Sequence, residues 1–360
     1  MKKLEDFKSE INKCSKCGLC QSVCPIYKLT GNDCAVSRGK FVMLDGVLKG
    51  DLKLNKNINK YLDLCLKCDK CSNFCPSSID VCKILETAKY EYEKNTFWGK
   101  FIFALQSKFV FGSFLKLMKI FSGSNKRKKI QTQNTNLKLL YFKGCVNNIY
   151  PQADKFLHKL FDNSNIEIIE KDFDCCGLPF LSSGNLERFE EVKKYNLSLM
   201  NCNFDYIFTD CASCESTLKK YAKAKFINLG ELITQQNIKF KFKKTIKVTF
   251  HKPCHLANDD FWLKIIENCE NVEYIKMKDY DECCGLAGEF AIKNHKISVQ
   301  ISKQKAKNII ETGADYVVTT CPACVLGLKQ GLLGIKKSPK VLSLSDFLDM
   351  STEYQYSKQS

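Results

Sequence analysis

Cysteine dominates the chemistry available to this chain. Of its 360 residues, 22 are cysteine, and most stand at short, repeated spacings. Cys14, Cys17, Cys20 and Cys24 form a Cys-x2-Cys-x2-Cys-x3-Cys run closed by Pro25. Cys65, Cys68, Cys71 and Cys75 form the same run closed by Pro76. Three thiolates so close in sequence wrap one face of a metal–sulfur cluster in a tight loop whose backbone N–H groups point at the sulfurs. The fourth, redirected by the proline, reaches the neighbouring cluster. The spacing therefore predicts two [4Fe–4S] cubanes. One is held by Cys14, Cys17, Cys20 and Cys75, the other by Cys65, Cys68, Cys71 and Cys24. Zinc ribbons, the competing reading, use Cys-x2-Cys pairs set further apart.

A second group of cysteines repeats along the chain. Cys145, Cys175, Cys176, Cys211 and Cys214 return as Cys254, Cys283, Cys284, Cys321 and Cys324, each offset by 108 to 110 residues. Flanking residues repeat as well. Tyr206 to Cys214 (YIFTDCASC) matches Tyr316 to Cys324 (YVVTTCPAC), and both Cys-Cys pairs are followed by glycine. A constant period marks a duplicated domain. Adjacent cysteines in such a set are cluster ligands, a redox dithiol or structural thiols. Cys34, Cys82, Cys202 and Cys269 lie outside both patterns and read as small buried hydrophobes.

The elements that position these residues follow from hydrophobic periodicity. Helices are expected at Ala35–Leu48 between the first two motifs, at Val81–Lys94 after the second, and over the aromatic, basic stretch Phe97–Phe121. From residue 137 short apolar runs alternate with helical stretches. Strands are expected at Leu137–Phe142, Ile166–Ile169 and Tyr206–Thr209, then again at Ile246–Phe250, Val272–Ile275 and Tyr316–Thr319. Helices over Leu186–Met200 and Ile297–Ile310 lie between them. Each copy reads as a small α/β unit with parallel strands, its cysteines at the strand ends where open sheets place their sites. The fold class is α+β overall. A mainly helical, ferredoxin-like two-cluster domain (1–95) leads through a basic aromatic connector (96–136) to two duplicated α/β domains (137–243 and 244–350) and a flexible tail (351–360).

Composition excludes several functions. The net charge of +17 invites a nucleic-acid partner, but only three of the 56 basic residues are arginine, the preferred fork for phosphates and base edges. Bound clusters would also lower the total charge. No nucleic acid is expected. No GxGxxG fingerprint follows a strand and no P-loop is present, so no dinucleotide or ATP site is signalled. The N terminus, Met1-Lys2-Lys3-Leu4-Glu5-Asp6, carries no apolar run behind it, and no stretch is long and apolar enough to span a bilayer. A cytoplasmic protein is expected, and in such a compartment a disulfide framework is disfavoured. Residues 94–153 contain no acidic residue. They read as a connector with solvated lysines or, alternatively, as a peripheral contact with an anionic membrane face through Lys126, Lys128 and Lys129.

Two CxxCxxCxxxCP motifs followed by two Cys…CCG…CxxC domains resemble the iron–sulfur subunit of glycolate oxidase and the related lactate-utilisation and anaerobic glycerol-3-phosphate dehydrogenase subunits. The stretch Cys283 to Ile292 (CCGLAGEFAI) with Ala306 to Cys324 lies closest to the glycolate and lactate branch. The heterodisulfide reductase subunit shares the CCG domains. The resemblance implies that each five-cysteine set, Cys145, Cys175, Cys176, Cys211 and Cys214, and Cys254, Cys283, Cys284, Cys321 and Cys324, holds a further non-cubane [4Fe–4S] cluster. Lys252 stands where many relatives carry Asp.

The implied function is electron transfer from an FAD-containing 2-hydroxy-acid dehydrogenase subunit toward quinone or another carrier. The alternative is a heterodisulfide-reductase-like or glycerol-3-phosphate dehydrogenase-type subunit with chemistry at the CCG clusters, where His251 and His255, flanking Cys254, would carry protons. A zinc-dependent interaction module is the non-enzymatic competitor. It would be colourless, whereas an iron–sulfur protein is brown.

Overall fold

The structure, a computed structural model, describes residues 2–107, 137–147, 152–162, 164–256 and 261–356. The second half of the expected Phe97–Phe121 helix and the basic residues Lys126, Lys128 and Lys129 lie outside the described residues. The chain divides into two compact units. The first comprises Met1–Gly112, Gly177–Glu191 and Glu282–Gln304; the second comprises Ser113–Cys176, Val192–Asp281 and Lys305–Ser360.

Helices build the first unit. Ser37–Lys49 and Val81–Glu93 lie close to the expected spans, and Lys56–Asp63 is an unexpected helix between them. Each starts and stops for local reasons. Asn55 and Asp80 cap Lys56–Asp63 and Val81–Glu93 through their side-chain oxygens, and Gly50 at φ 83° ends Ser37–Lys49. Their apolar faces bury Phe41, Leu44, Ile58, Leu62, Ile84 and Leu85 together with Leu4 and Phe7 from the N terminus. Cys14, Cys65, Cys71 and Cys75 pack against this core. The helix expected from Phe97 is present as Phe97–Leu105.

The first unit also takes the same piece of each duplicated repeat. Residues 177–191 begin just after Cys176, and residues 282–304 begin just before Cys283. The second of these pieces is tied down by charge. Lys89 Nζ lies 2.7 Å from both Asp63 and Glu289, and its side chain is only 4% exposed. Lys293 reaches Asp63, Glu93 and Glu289 at 3.0–3.2 Å. The helix Glu289–Lys293 is thereby fastened to Lys56–Asp63 and Val81–Glu93.

Both sheets lie in the second unit. The first contains β1 (Leu137–Tyr141), β2 (Ile166–Glu170), β3 (Tyr206–Thr209) and β4 (Phe226–Asn228) in the order β2-β1-β3-β4, all parallel. The second contains β5 (Ile238–His251), β6 (Cys269–Tyr274), β7 (Tyr316–Thr319) and β8 (Lys340–Ser343) in the order β6-β5-β7-β8, again parallel. The identical order is the duplication written in topology. One hydrogen bond recurs with it: Lys138 N–H donates to Asp205 Oδ2 at 2.7 Å, and Lys247 N–H donates to Asp315 Oδ2 at 2.8 Å.

Three features differ from expectation. The strand expected at Ile246–Phe250 extends back to Ile238, across the 243/244 boundary. Its extra length alternates exposed lysines with buried Ile238, Phe240 and Phe242, the period of a half-buried strand. The expected flexible tail instead contributes β9 (Glu353–Tyr356), antiparallel to the start of β5, with Tyr354 opposite Phe240. Finally, the repeats are not two separate cores. Tyr141, Phe156 and Phe208 from one repeat share a cluster with Phe240, Phe250 and Trp262 from the other, because a four- or five-stranded sheet cannot cover its own apolar face.

Candidate metal centres

In the first unit Cys14, Cys17, Cys20 and Cys75 line one cavity, and Cys24, Cys65, Cys68 and Cys71 line a second. Cys71 is on the wall of both. Each cavity thus draws cysteines from both motifs. Chain direction explains this. Cys24 precedes Pro25, which opens the helix Pro25–Thr30, and the proline's fixed φ turns the chain out of the first loop.

Both loops share a backbone shape. Lys16 (φ 58°) and Gly18 (φ 84°) in the first correspond to Lys67 (φ 54°) and Asp69 (φ 57°) in the second. Non-glycine residues at positive φ cost free energy and persist where the surroundings demand them. Here they turn successive N–H groups inward, as in anion-binding nests. The effect on the thiols is direct. The backbone N–H of Leu19, then Ser15, holds the Cys17 thiol below its ordinary value.

In the second cavity burial pushes Cys24 up and Cys71 up to about 12, with the Cys65 and Cys24 charges adding to the rise at Cys71. Cys65 goes the other way. A hydrogen bond from Cys82 lowers it well below its usual value against burial, helped by Lys40 and Lys67. Four half-buried thiols crowded so closely disfavour ionisation in one another. A metal–sulfur group whose cations compensate four thiolates removes that conflict, so the donor set fits a [4Fe–4S] cluster.

Gly177 and Gly285 explain the glycine of each CCG motif. Gly177 has φ 101° and a Cβ there would lie 2.6 Å from Phe189. Gly285 has φ 88° and a Cβ would lie 2.6 Å from the Ser298 carbonyl oxygen. Beside it, Ser302 Oγ donates to the Cys284 carbonyl at 2.8 Å and Ser298 Oγ to the Gly285 carbonyl at 3.0 Å. Cys283 joins Ile26, Leu64, Leu66 and Phe290 in one apolar cluster, against which Cys24 and Cys68 pack.

In the second unit Cys145, Cys175, Cys176, Cys214, Cys211, Cys321 and Cys324 form a run of thiols. Cys175 Sγ is 3.7 Å from Cys145 Sγ. Cys175 also bonds Cys176, Cys176 bonds Cys214, and Cys214 bonds Cys211. Each Cys-x2-Cys opens a helix after a strand. Cys211 caps Ala212–Lys219 after β3, and Cys321 caps Pro322–Leu332 after β7. The two caps meet: Ala212 N–H donates to the Thr320 carbonyl at 3.0 Å, and Cys211 bonds Cys321. Cys321 is held well below its usual value by Cys211 first, then Cys324, with Ser213 assisting. Ser213 Oγ lies 3.4 Å from Cys321 Sγ and 3.1 Å from His255 Nδ1. His251, the last residue of β5, is fully buried, with a ring nitrogen within 4.8 Å of Cys324 Sγ.

All five cysteines of the first repeat set thus fall in the second unit. Those of the second set divide, Cys283 and Cys284 in the first unit and Cys254, Cys321 and Cys324 in the second. Of the four cysteines outside both patterns, Cys82 and Cys269 are buried, while Cys34 and Cys202 are only half-buried. Cys82 is more than a hydrophobe. It lines the second cavity and bonds a candidate ligand. No spacing signals it, nor the buried Lys40 and Lys67. Among the described residues no helix is long and apolar enough to cross a membrane.

Comparison with known proteins agrees with this architecture. The 4Fe–4S dicluster domain family matches residues 10–79, and the cysteine-rich CCG domain family matches 139–219 and 248–329. An uncharacterized iron–sulfur protein of Methanococcus maripaludis is 28% identical over 96% of this chain and 74% of its own length. A fumarate reductase (CoM/CoB) component of Methanothermobacter marburgensis is 28% identical over 61% of this chain and 47% of its own. The probable glycolate oxidase iron–sulfur subunit of Bacillus subtilis is 21% identical over 94% of this chain and 93% of its own. The chain therefore joins a 4Fe–4S dicluster domain to two cysteine-rich CCG domains, and it is similar over nearly its whole length to the probable glycolate oxidase iron–sulfur subunit.

Proposed function

We propose that this chain is the electron-relay subunit of a flavin-dependent 2-hydroxy-acid dehydrogenase of glycolate or lactate type. In this reading a partner subunit carries FAD and the substrate pocket, and a quinone or another carrier takes the electrons. The reading is supported by a match to the probable glycolate oxidase iron–sulfur subunit that runs almost end to end on both chains. The observation that carries it is the pair of cysteine-lined cavities with Cys71 on the wall of both. Clusters bound there would exchange single electrons at close range. We assign Cys14, Cys17, Cys20 and Cys75 to the first cluster and Cys24, Cys65, Cys68 and Cys71 to the second. The ten CCG cysteines are assigned to further clusters. The protein's own work is to hold these groups, exclude water from them and set their local charge.

The test is a three-component reduction. Anaerobically loaded protein is mixed with an FAD-binding glycolate or lactate dehydrogenase, and glycolate or lactate is added. Visible absorbance near 400 nm, roughly where thiolate-to-iron bands fall, bleaches only when all three are present. No bleaching with either acid sinks the reading.

A second reading is favoured by one contact. Cys211 and Cys321 touch, with Ser213 and His255 beside them, which suits thiol–disulfide chemistry on the chain itself. The relative named as part of a fumarate reductase (CoM/CoB) points the same way. Bleaching by a dithiol donor alone, without flavoprotein, supports this alternative.

A further inference from the structure

The two cysteine-lined cavities differ in the charge around them. The first is lined by the exposed Lys16 and by Arg38, whose side chain is 30% exposed and paired with Asp33 at 2.9 Å. Its positive charge is screened by water and by a carboxylate. The second is lined by Lys40, which is 2% exposed, and by half-buried Asp69 and Lys70, whose opposite charges offset one another. Lys40 Nζ donates to the carbonyl oxygen of Leu64 at 2.8 Å, the residue just before Cys65. Among the described residues it has no carboxylate partner. Lys67, also buried, sits between Cys65 and Cys68. Cys82 lines the same cavity, and its thiol donates to Cys65.

Adding an electron to a cluster adds one unit of negative charge. A buried cation stabilises that charge far more than an exposed, paired one. A hydrogen bond to a ligand sulfur acts in the same direction by withdrawing charge from the metal. We propose that Lys40 and Cys82 are positioning residues that raise the reduction potential of the second cluster above that of the first, making the second the electron sink of the pair. The direction is useful. Cys17, in the first cavity, is exposed, whereas Cys24 and Cys68 of the second pack in the apolar cluster that contains Cys283. Electrons that enter at the exposed cluster fall toward the CCG cysteines. The proposal rests on the ligand assignment made above.

Potentiometric titration of the anaerobically loaded full chain, followed by EPR, tests it. The signal missing in Cys68→Ala identifies the second cluster, and the signal missing in Cys17→Ala identifies the first. Unchanged iron content in Cys68→Ala contradicts the ligand assignment, and that failure is distinct from a failure of the tuning proposal. In the wild-type chain the second cluster is expected to titrate at the higher potential. Lys40→Met and Cys82→Ala each lower that potential, by about tenfold in the one-electron equilibrium or roughly 59 mV, and leave the first cluster unmoved. Lys40→Arg, which keeps the charge, stays near wild type. The proposal is overturned by the reverse order of potentials, by no shift in Cys82→Ala, or by equal shifts of both clusters. It is also overturned if Cys82→Ala loses one cluster's iron, since Cys82 would then be a ligand. If Lys40→Met fails to load, the Cys82→Ala shift alone decides.

Discussion

Lys89 and Glu289 stand 200 positions apart in sequence and 2.7 Å apart in the first unit. The same ammonium bonds Asp63 at 2.7 Å and the Ser182 carbonyl at 2.9 Å. A cation so deeply buried is retained only with partners. Its partners come from the two-cluster region and from pieces of both repeats, so the pairing holds the Cys283–Cys284 segment in the first unit. Lys89→Met leaves two carboxylates without their shared cation. A loss of about 3 kcal/mol is expected, read as a lower denaturant midpoint, with new proteolytic cleavage between residues 282 and 304. An unchanged midpoint would mean that Lys293 alone suffices.

The crossed ligand sets proposed above make a prediction that no uncrossed arrangement shares. Cys75→Ala should remove the same EPR signal as Cys17→Ala, and Cys24→Ala the same signal as Cys68→Ala. If Cys75→Ala instead matches Cys68→Ala, each motif serves a single cluster and the crossing is wrong. Iron analysis gives the companion number. Full loading of both cubanes and both CCG sites corresponds to about 16 irons, and loading of the cubanes alone to about 8.

Gly285→Ala meets two obstacles, a positive φ and a Cβ 2.6 Å from the Ser298 carbonyl oxygen. Gly313, at φ 61° with open space around it, meets only the first. Gly313→Ala should therefore cost about 1 kcal/mol and Gly285→Ala about 2 to 3. Hydrogen exchange over residues 283–304 should rise in the second variant only. Equal costs would mean that the Ser298 turn yields easily.

Cys269 gives the pH dependence. Burial pushes its thiol up to about 12, against about 8.5 in an unfolded chain. The native state therefore holds a proton that the unfolded state releases. The stabilising contribution is complete below about pH 8.5 and declines as pH rises toward 12. Stability of the wild-type chain should fall between pH 8.5 and 10.5. Cys269→Val, lacking the proton, should fall less steeply over the same range. Parallel curves would rule out Cys269 as the source.

Much of this molecule was legible in its residues. The two motifs announced a 4Fe–4S dicluster domain because a cubane needs four thiolates and three of them must be local. The repeat offset announced the duplicated sheets, and Tyr206–Thr209 and Tyr316–Thr319 fall where their apolar runs predicted. Register and burial were less legible. The start of β5 hides among lysines, and β9 sits in a polar tail, since an edge strand needs little apolar sequence once a partner such as Phe240 is waiting for Tyr354.

The sequence by itself determined the donor chemistry, because thiolate spacing is a local property of the chain. Only the tertiary structure decided the surroundings of those donors. Cys82 reaches Cys65, Lys40 reaches Leu64, Cys211 reaches Cys321, and Glu289 reaches Lys89. Each pair is distant in sequence, and burial and charge act through space, so their contribution appears only when the chain has folded.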